Sequence, residues 1–223
     1  MNPGRGRGGR RAKYGHDLAR RRPKRTSKDR VLIACEGGKT EPNYLKEIVQ
    51  DLGLTSADVE ICGKECDSAP KSVVEFALKR FQEDGHFDRV ICVFDKDSHT
   101  TYEAAVNLVK TRRMRKGKTL EAVKSVPCFE YWVLLHFGLT TKPYARSGKR
   151  SPCDNVIRDL KKKEGFRDYE KGSHGLYDRL KDRIDDAIEN ARNALEQATR
   201  ADTDNPTTEM HLLVEYLRAL KDQ

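Results

Sequence analysis

Long apolar runs are missing from this sequence. None approaches the roughly 18 residues of a membrane span, and mean hydropathy is −0.81, so a membrane partner is not expected. The opening MNPGRGRGGRRAKYGH lacks the apolar core of a secretory signal. There is one tryptophan, and cysteine is sparse: six residues at 35, 62, 66, 92, 128 and 153. No Cys-x-x-Cys pair occurs. Cys62 and Cys66 have no second pair or nearby histidine to complete a zinc site. The expectation is free thiols in a reducing cytoplasm. No internal repeat is visible.

Charge is abundant, at 44 Lys and Arg against 35 Asp and Glu, and it is unevenly placed. Residues 1–30 carry nine Arg and three Lys against two Asp, a net +10, which leaves the rest of the chain at −1. A Gly/Arg-rich tail of this kind buries too little apolar surface to fold alone. Residues 1–29 therefore read as a disordered basic tail. It serves as a solubilising leader or as an electrostatic arm for nucleic acid, with Arg20, Arg21 and Arg22 the first candidates to reach a substrate.

From residue 30 strands alternate with helices. VLIAC (31–35), VEICG (59–63), RVICVF (89–94) and LEAVKSV (120–126) read as strands. Residues 40–53, 69–84 and 98–113 read as the helices between them. Thr40 suits the N-cap of the first, and Val73, Val74, Ala77, Leu78 and Phe81 form one apolar stripe on the second. Such alternation predicts an α/β fold with a parallel sheet of about four strands flanked by helices. After Pro127, CFEYWVLLHFG reads as a buried helix. Residues 151–165, 173–200 and 206–221 read as helical, so a core at 30–139 carries a helical C-terminal extension at 140–223.

The stretch ACEGGKTEPNY invites a phosphate-binding reading. A P-loop needs glycine five residues before Gly38-Lys39-Thr40, and that position is Ile33, so the spacing fails. What remains is Glu36 at the end of one strand, with Asp95 and Asp97 at the end of another. Ligands of open α/β sheets bind beyond the carboxyl ends of the strands, and residues i and i+2 on extended chain face the same way. Three carboxylates held together repel one another and hold protons unless a cation separates them. Mg2+ (or Mn2+) suits such an oxygen donor set. The plain alternative is that Asp97 and Ser98 cap the next helix. A dehalogenase-type phosphatase would want Thr where His99 stands, and a sugar-nucleotide transferase leaves the Glu36 loop unexplained.

The pattern of Glu36, Asp95 and Asp97 resembles the Toprim domain of primases, topoisomerases and overcoming-lysogenization-defect nucleases. CEGGKTEPNY, VFDKDSH, PCFEYWVLLHF and NPTTEMHLLVEYL together resemble the RloB-like family of bacterial phage-defence proteins, from about residue 30 to the C-terminus. The resemblance implies a Toprim-like fold and a metal-dependent endonuclease acting on nucleic acid, with RNA such as tRNA ahead of DNA. It also implies an ATPase partner subunit. Glu36 would be a metal ligand or general base, and Asp95 and Asp97 metal ligands. The competing expectation is a non-catalytic nucleic-acid-binding or scaffold subunit. Self-association stays open.

Other residues keep two readings. Glu130 and His136 are six apart, so their side chains on one helix diverge by roughly 120°. Glu130, in so apolar a stretch, is a fourth carboxylate or the partner of a buried arginine. His136 is a core histidine or a proton shuttle. Glu41 reads as a first-turn acid favoured by the helix dipole. Lys39, Lys142, Arg146, Lys149, Arg150 and Lys171 are candidate substrate contacts or solvated cations.

Overall fold

A computed structural model describes residues 28–66 and 68–222. The cations at 1–27, Arg20, Arg21 and Arg22 among them, lie outside the described residues.

Four parallel strands form the sheet: β1 (Val31–Cys35), β2 (Val59–Cys62), β3 (Arg89–Asp95) and β4 (Thr119–Val126). A fifth, β5 (Thr207–Thr208), pairs antiparallel with the end of β4, through Val126 and Thr207, and the order is β2-β1-β3-β4-β5. Sequence pattern alone leaves residues 206–208 in a helix. Two residues carry no periodicity to reveal a strand, and Thr208 is fixed by its hydroxyl against Ser125 Oγ at 3.0 Å.

The central strands β1 and β3 are almost wholly apolar because both faces of the sheet are covered there, while the outer β2 and β4 also carry Glu60, Glu121 and Lys124. On β1, Val31, Ile33 and Cys35 face one core, while Leu32 and Ala34 face the other. The second face is closed by α2 (Pro70–Glu83) and α3 (Tyr102–Thr111), and the apolar stripe of α2 is buried as its spacing requires. The first face is covered by α1 (Thr40–Asp51), α4 (Glu130–Leu135), α5 (Pro152–Leu160), α6 (Leu176–Leu180), α7 (Ile184–Arg200) and α8 (Met210–Lys221). One continuous core runs from Val31 to Leu220, so the segments read from sequence as core and extension share it.

After Glu130, helix α4 is apolar on all sides because it lies between the sheet and the later helices: Tyr131, Trp132, Val133 and Leu135 are fully buried. The Trp132 indole N–H donates to Tyr44 Oη at 2.9 Å, which satisfies the one polar atom that burial would strand. The expected helix over 173–200 is broken, with a 3₁₀ turn at Lys181–Arg183 between α6 and α7. Cys128 and Cys153 form a disulfide, which corrects the expectation of six free thiols; Cys35, Cys62, Cys66 and Cys92 are free. Cys128 lies in the turn between β4 and α4 and Cys153 in the first turn of α5, and no local spacing announces their meeting. No helix among the described residues is long and apolar enough to cross a membrane.

Candidate functional site

The carboxyl ends of β1 and β3 deliver the acids. The two strands pair in register, Cys35 opposite Val93, and the Glu36 N–H donates to Val93 O at 3.0 Å. Glu36 therefore leaves the sheet beside the next turn of β3. Its Oε2 accepts the Asp95 N–H at 3.2 Å and its Oε1 meets His99 Nε2 at 2.8 Å. Asp95 is only 8% exposed, and its Oδ2 accepts the Phe129 N–H at the start of α4, 3.1 Å away.

Two further acids converge here. Glu130, 1% exposed, opens α4; its Oε1 accepts the Tyr169 hydroxyl at 3.1 Å and its Oε2 lies 3.5 Å from Lys171 Nζ. It is thus a fourth carboxylate paired with a lysine, and among the described residues no arginine pairs with it. Glu41, in the first turn of α1, is the member that sequence reasoning assigned only to the helix dipole. Burial, and then the charges of Glu130 and Glu36, push its carboxyl up to about 8.

The same crowding acts on the others. Asp95 is raised well above the usual carboxylate range, first by burial and then by Glu41, Glu36 and Glu130, with the Phe129 N–H easing it. Glu36 is raised by burial, against which the Asp95 N–H, His99 and Lys171 work. Lys171 is held above its ordinary value although burial opposes its charge, because Glu130, Asp95 and Glu41 outweigh it. Its side chain is still 53% exposed, so the cleft opens to solvent beside it.

Lys171 is carried by a loop that folds back over α1. The Gly172 N–H donates to Thr40 Oγ1 at 2.9 Å, and the Gly175 and Tyr177 N–H groups donate to the two oxygens of Glu47 at 2.6 and 2.8 Å. Thr40 is therefore not the N-cap of α1; Lys39 holds that place without a side-chain bond. The exposed Lys39 stem lies against Gly172.

Asp97 behaves differently from the expectation. The strand ends at Asp95, and Asp97 sits at a φ of 22°, so the i, i+2 rule for extended chain no longer applies. Its Oδ1 accepts the Cys153 N–H in the first turn of α5 at 3.3 Å. Glu36, Asp95 and Asp97 are not a tight trio. Among the described residues, the one group of three ligand-type side chains whose donor atoms all lie within 4.8 Å is Cys128, Glu130 and Cys153. Nor does Asp97 cap a following helix, since α3 begins only at Tyr102.

His136 is not brought to the acids. It caps the other end of α4, about 9 Å along the axis from Glu130. Nδ1 lies 3.0 Å from Trp132 O, and the ring lines a separate cavity of about 320 Å³ with Arg183, Asp186, Glu189 and Asn190. Burial lowers its pKa to about 4, so it is neutral. Lys142 is paired with Asp159 at 2.9 Å. Arg146, Lys149 and Arg150 are exposed on a tight turn, bridged by Ser147 and Arg150, that leads into Ser151, the N-cap of α5.

Glu36, Glu41, Asp95 and Glu130 offer oxygen donors only, though no three of them bring those atoms within 4.8 Å of one another, and Lys171 and the His99 ring face them. Oxygen donors of this kind suit a hard divalent ion such as Mg2+. Glu36 and Asp95, which meet at the strand ends, are the residues that could hold one. No curated protein and no solved structure matches the chain. The family model described as RloB-like protein matches residues 31–217, and the chain belongs to that family.

Proposed function

We propose that this protein is a divalent-metal-dependent nuclease that hydrolyses phosphodiester bonds in nucleic acid. The observation that carries the reading is the meeting of Glu36 and Asp95 at the carboxyl edge of a parallel sheet, with Glu41 and Glu130 crowding the same cleft. The Toprim-like sequence pattern of Glu36, Asp95 and Asp97 supports it, as does the chain's resemblance to the RloB-like family, which implies a role in phage defence, often beside an ATPase partner.

A bound Mg2+ or Mn2+ would neutralise the phosphate and lower the pKa of attacking water. The remaining work belongs to the chain. Glu36 is oriented by the Asp95 N–H on Oε2 and by His99 on Oε1, and the remaining lone pair on each oxygen would hold the ion or accept a proton from water. Lys171, half exposed at the rim, is available to a nonbridging phosphate oxygen. Arg146, Lys149 and Arg150 offer backbone-phosphate contacts on the turn before α5. Asp97 is turned toward the Cys153 N–H through Oδ1, so a part for it in the ligand set falls to Oδ2.

The test is incubation of purified protein with labelled tRNA and labelled duplex DNA, with Mg2+, Mn2+ or chelator. Cleavage that needs the ion, and that Glu36→Gln or Asp95→Asn lowers by several orders of magnitude, is the expected result. Cleavage that survives chelation, or wild-type cleavage by both variants, overturns the assignment. Binding of either nucleic acid without cleavage under every condition would instead identify a non-catalytic subunit.

A further inference from the structure

Cys128, Glu130 and Cys153 meet in a way that a disulfide alone does not explain. All three are buried, at 1, 1 and 2% exposure, and their donor atoms lie within 4.8 Å of one another. Glu130 Oε2 is 3.2 Å from Cys153 Sγ. A disulfide sulfur has no proton to give, so in the bonded state the buried carboxylate abuts sulfur lone pairs, and only the half-exposed Lys171 ammonium touches both. The contact becomes favourable when a proton or a cation stands there. Lys171 Nζ lies 3.3 Å from the same sulfur and reaches Glu130 as well. Glu130 is oriented by the Tyr169 hydroxyl on Oε1, which leaves Oε2 toward the sulfurs.

We propose that Cys128, Glu130 and Cys153, in the dithiol state, form a site for a thiophilic divalent ion of the Zn2+ class, and that the disulfide is its oxidised, metal-free state. Zinc takes Cys sulfur at about 2.3 Å and carboxylate oxygen at about 2.0–2.2 Å in tetrahedral array, which sets the two sulfurs roughly 3.8 Å apart. The Cα atoms are 5.6 Å apart, and side-chain rotation alone opens the sulfurs to that spacing. Two thiolates and one carboxylate around Zn2+ carry a net −1, and Lys171 supplies the compensating charge. The fourth position goes to water. Two soft sulfur donors set this site apart from the oxygen ligands of Glu36 and Asp95, which favour Mg2+, and Glu130 stands between the two sites. The ion would tie the turn before α4 to the first turn of α5.

The chemistry balances. A phosphine reductant takes oxygen from water and gives two electrons to the disulfide, leaving two thiols. A cellular dithiol achieves the same by exchange, becoming a disulfide itself. Zinc then displaces both thiol protons.

The test uses the full chain, reduced with a phosphine and desalted without oxygen, or oxidised with a low-molecular-weight disulfide. Each form is titrated with Co2+ in excess Mg2+, to occupy oxygen sites, and zinc content is measured after dialysis. The reduced protein is expected to show a thiolate-to-cobalt charge-transfer band, displaced by one equivalent of Zn2+. The oxidised protein is expected to show none. Cys128→Ser and Cys153→Ser should each lose the band, and Glu130→Gln should weaken zinc binding by at least about tenfold. The oxidised-against-reduced comparison needs no variant and stands if a serine variant fails to fold. A reduced protein without the band overturns the proposal. So does a band that persists in the double serine variant, which would trace it to Cys35, Cys62, Cys66 or Cys92. Because the readout is spectroscopic and independent of cleavage, it stands or falls separately from the nuclease reading.

Discussion

Gly172 and Gly175 both adopt positive φ, 84° and 73°, on the loop that brings Lys171 to the acids. Replacing either by alanine costs about 1–2 kcal/mol for the left-handed backbone and recovers about 0.4–1 kcal/mol from a stiffer unfolded chain. Those contributions are common to the two sites. The difference is space. A Cβ on Gly172 would lie 2.8 Å from Lys39 Cβ and 2.9 Å from Lys39 Cδ, whereas one on Gly175 meets nothing within 4 Å. The clash involves the root of the Lys39 side chain, which cannot swing away without moving the backbone at the start of α1. Overpacking of this kind adds about 1–3 kcal/mol. Gly172→Ala should therefore unfold more easily than Gly175→Ala by about that amount. In a chain of this size the gap in Tm is roughly 2–4 °C per kcal/mol. Thermal melts of the two variants beside wild type measure it. Gly172→Ala should also lose cleavage beyond its stability loss, because the Gly172 N–H bond to Thr40 fixes the loop that carries Lys171. Equal melting temperatures for the two variants would refute the close approach of the loop to Lys39.

Two further outcomes come from the electrostatics. Glu41 binds its proton more tightly folded, at about 8, than unfolded, near 4.5, so between those values the native state holds the extra proton and stability falls as pH rises. In chelator, Tm should drop from pH 6 to pH 9, and Glu41→Gln should flatten that drop; a Tm that rises over this range would contradict the shift. His136→Ala should lower stability by about 1–3 kcal/mol, as for a broken buried polar contact, while cleavage at low temperature stays at the wild-type level. Lost cleavage with an unchanged melt would return His136 to the chemistry.

The strands and the long helices were legible because their cause is local. VLIAC and RVICVF are apolar on both faces, and the stripe on α2 repeats at helical spacing. Glu36 and Asp95 were legible for the same reason, since the end of a strand sets where its last side chains emerge. Asp97 was misplaced because the rule that aimed it holds only while the chain stays extended. Glu41 sits in a first turn whose ordinary explanation is sufficient without a partner. Tyr169 and Cys153 join the cleft through folding across more than twenty residues of sequence, and nothing in FRDYEKGSHG or SPCDN records the destination. The two residues of β5 owe their conformation to Ser125 and Val126, which lie far upstream.

Helix α4 has a consequence for synthesis. Beyond Glu130 its surface is apolar and is covered from one side by α5, α7 and β5, and Leu135 O is satisfied by Asn190 Nδ2 at 2.9 Å. All of these are made later than α4 itself. At about 5–20 residues per second, the roughly 70 residues from the end of α4 to β5 take about 4–14 s to emerge. During that interval the nascent chain presents Tyr131, Trp132, Val133 and Leu135 without their cover, a segment suited to a ribosome-associated chaperone until the C-terminal third arrives.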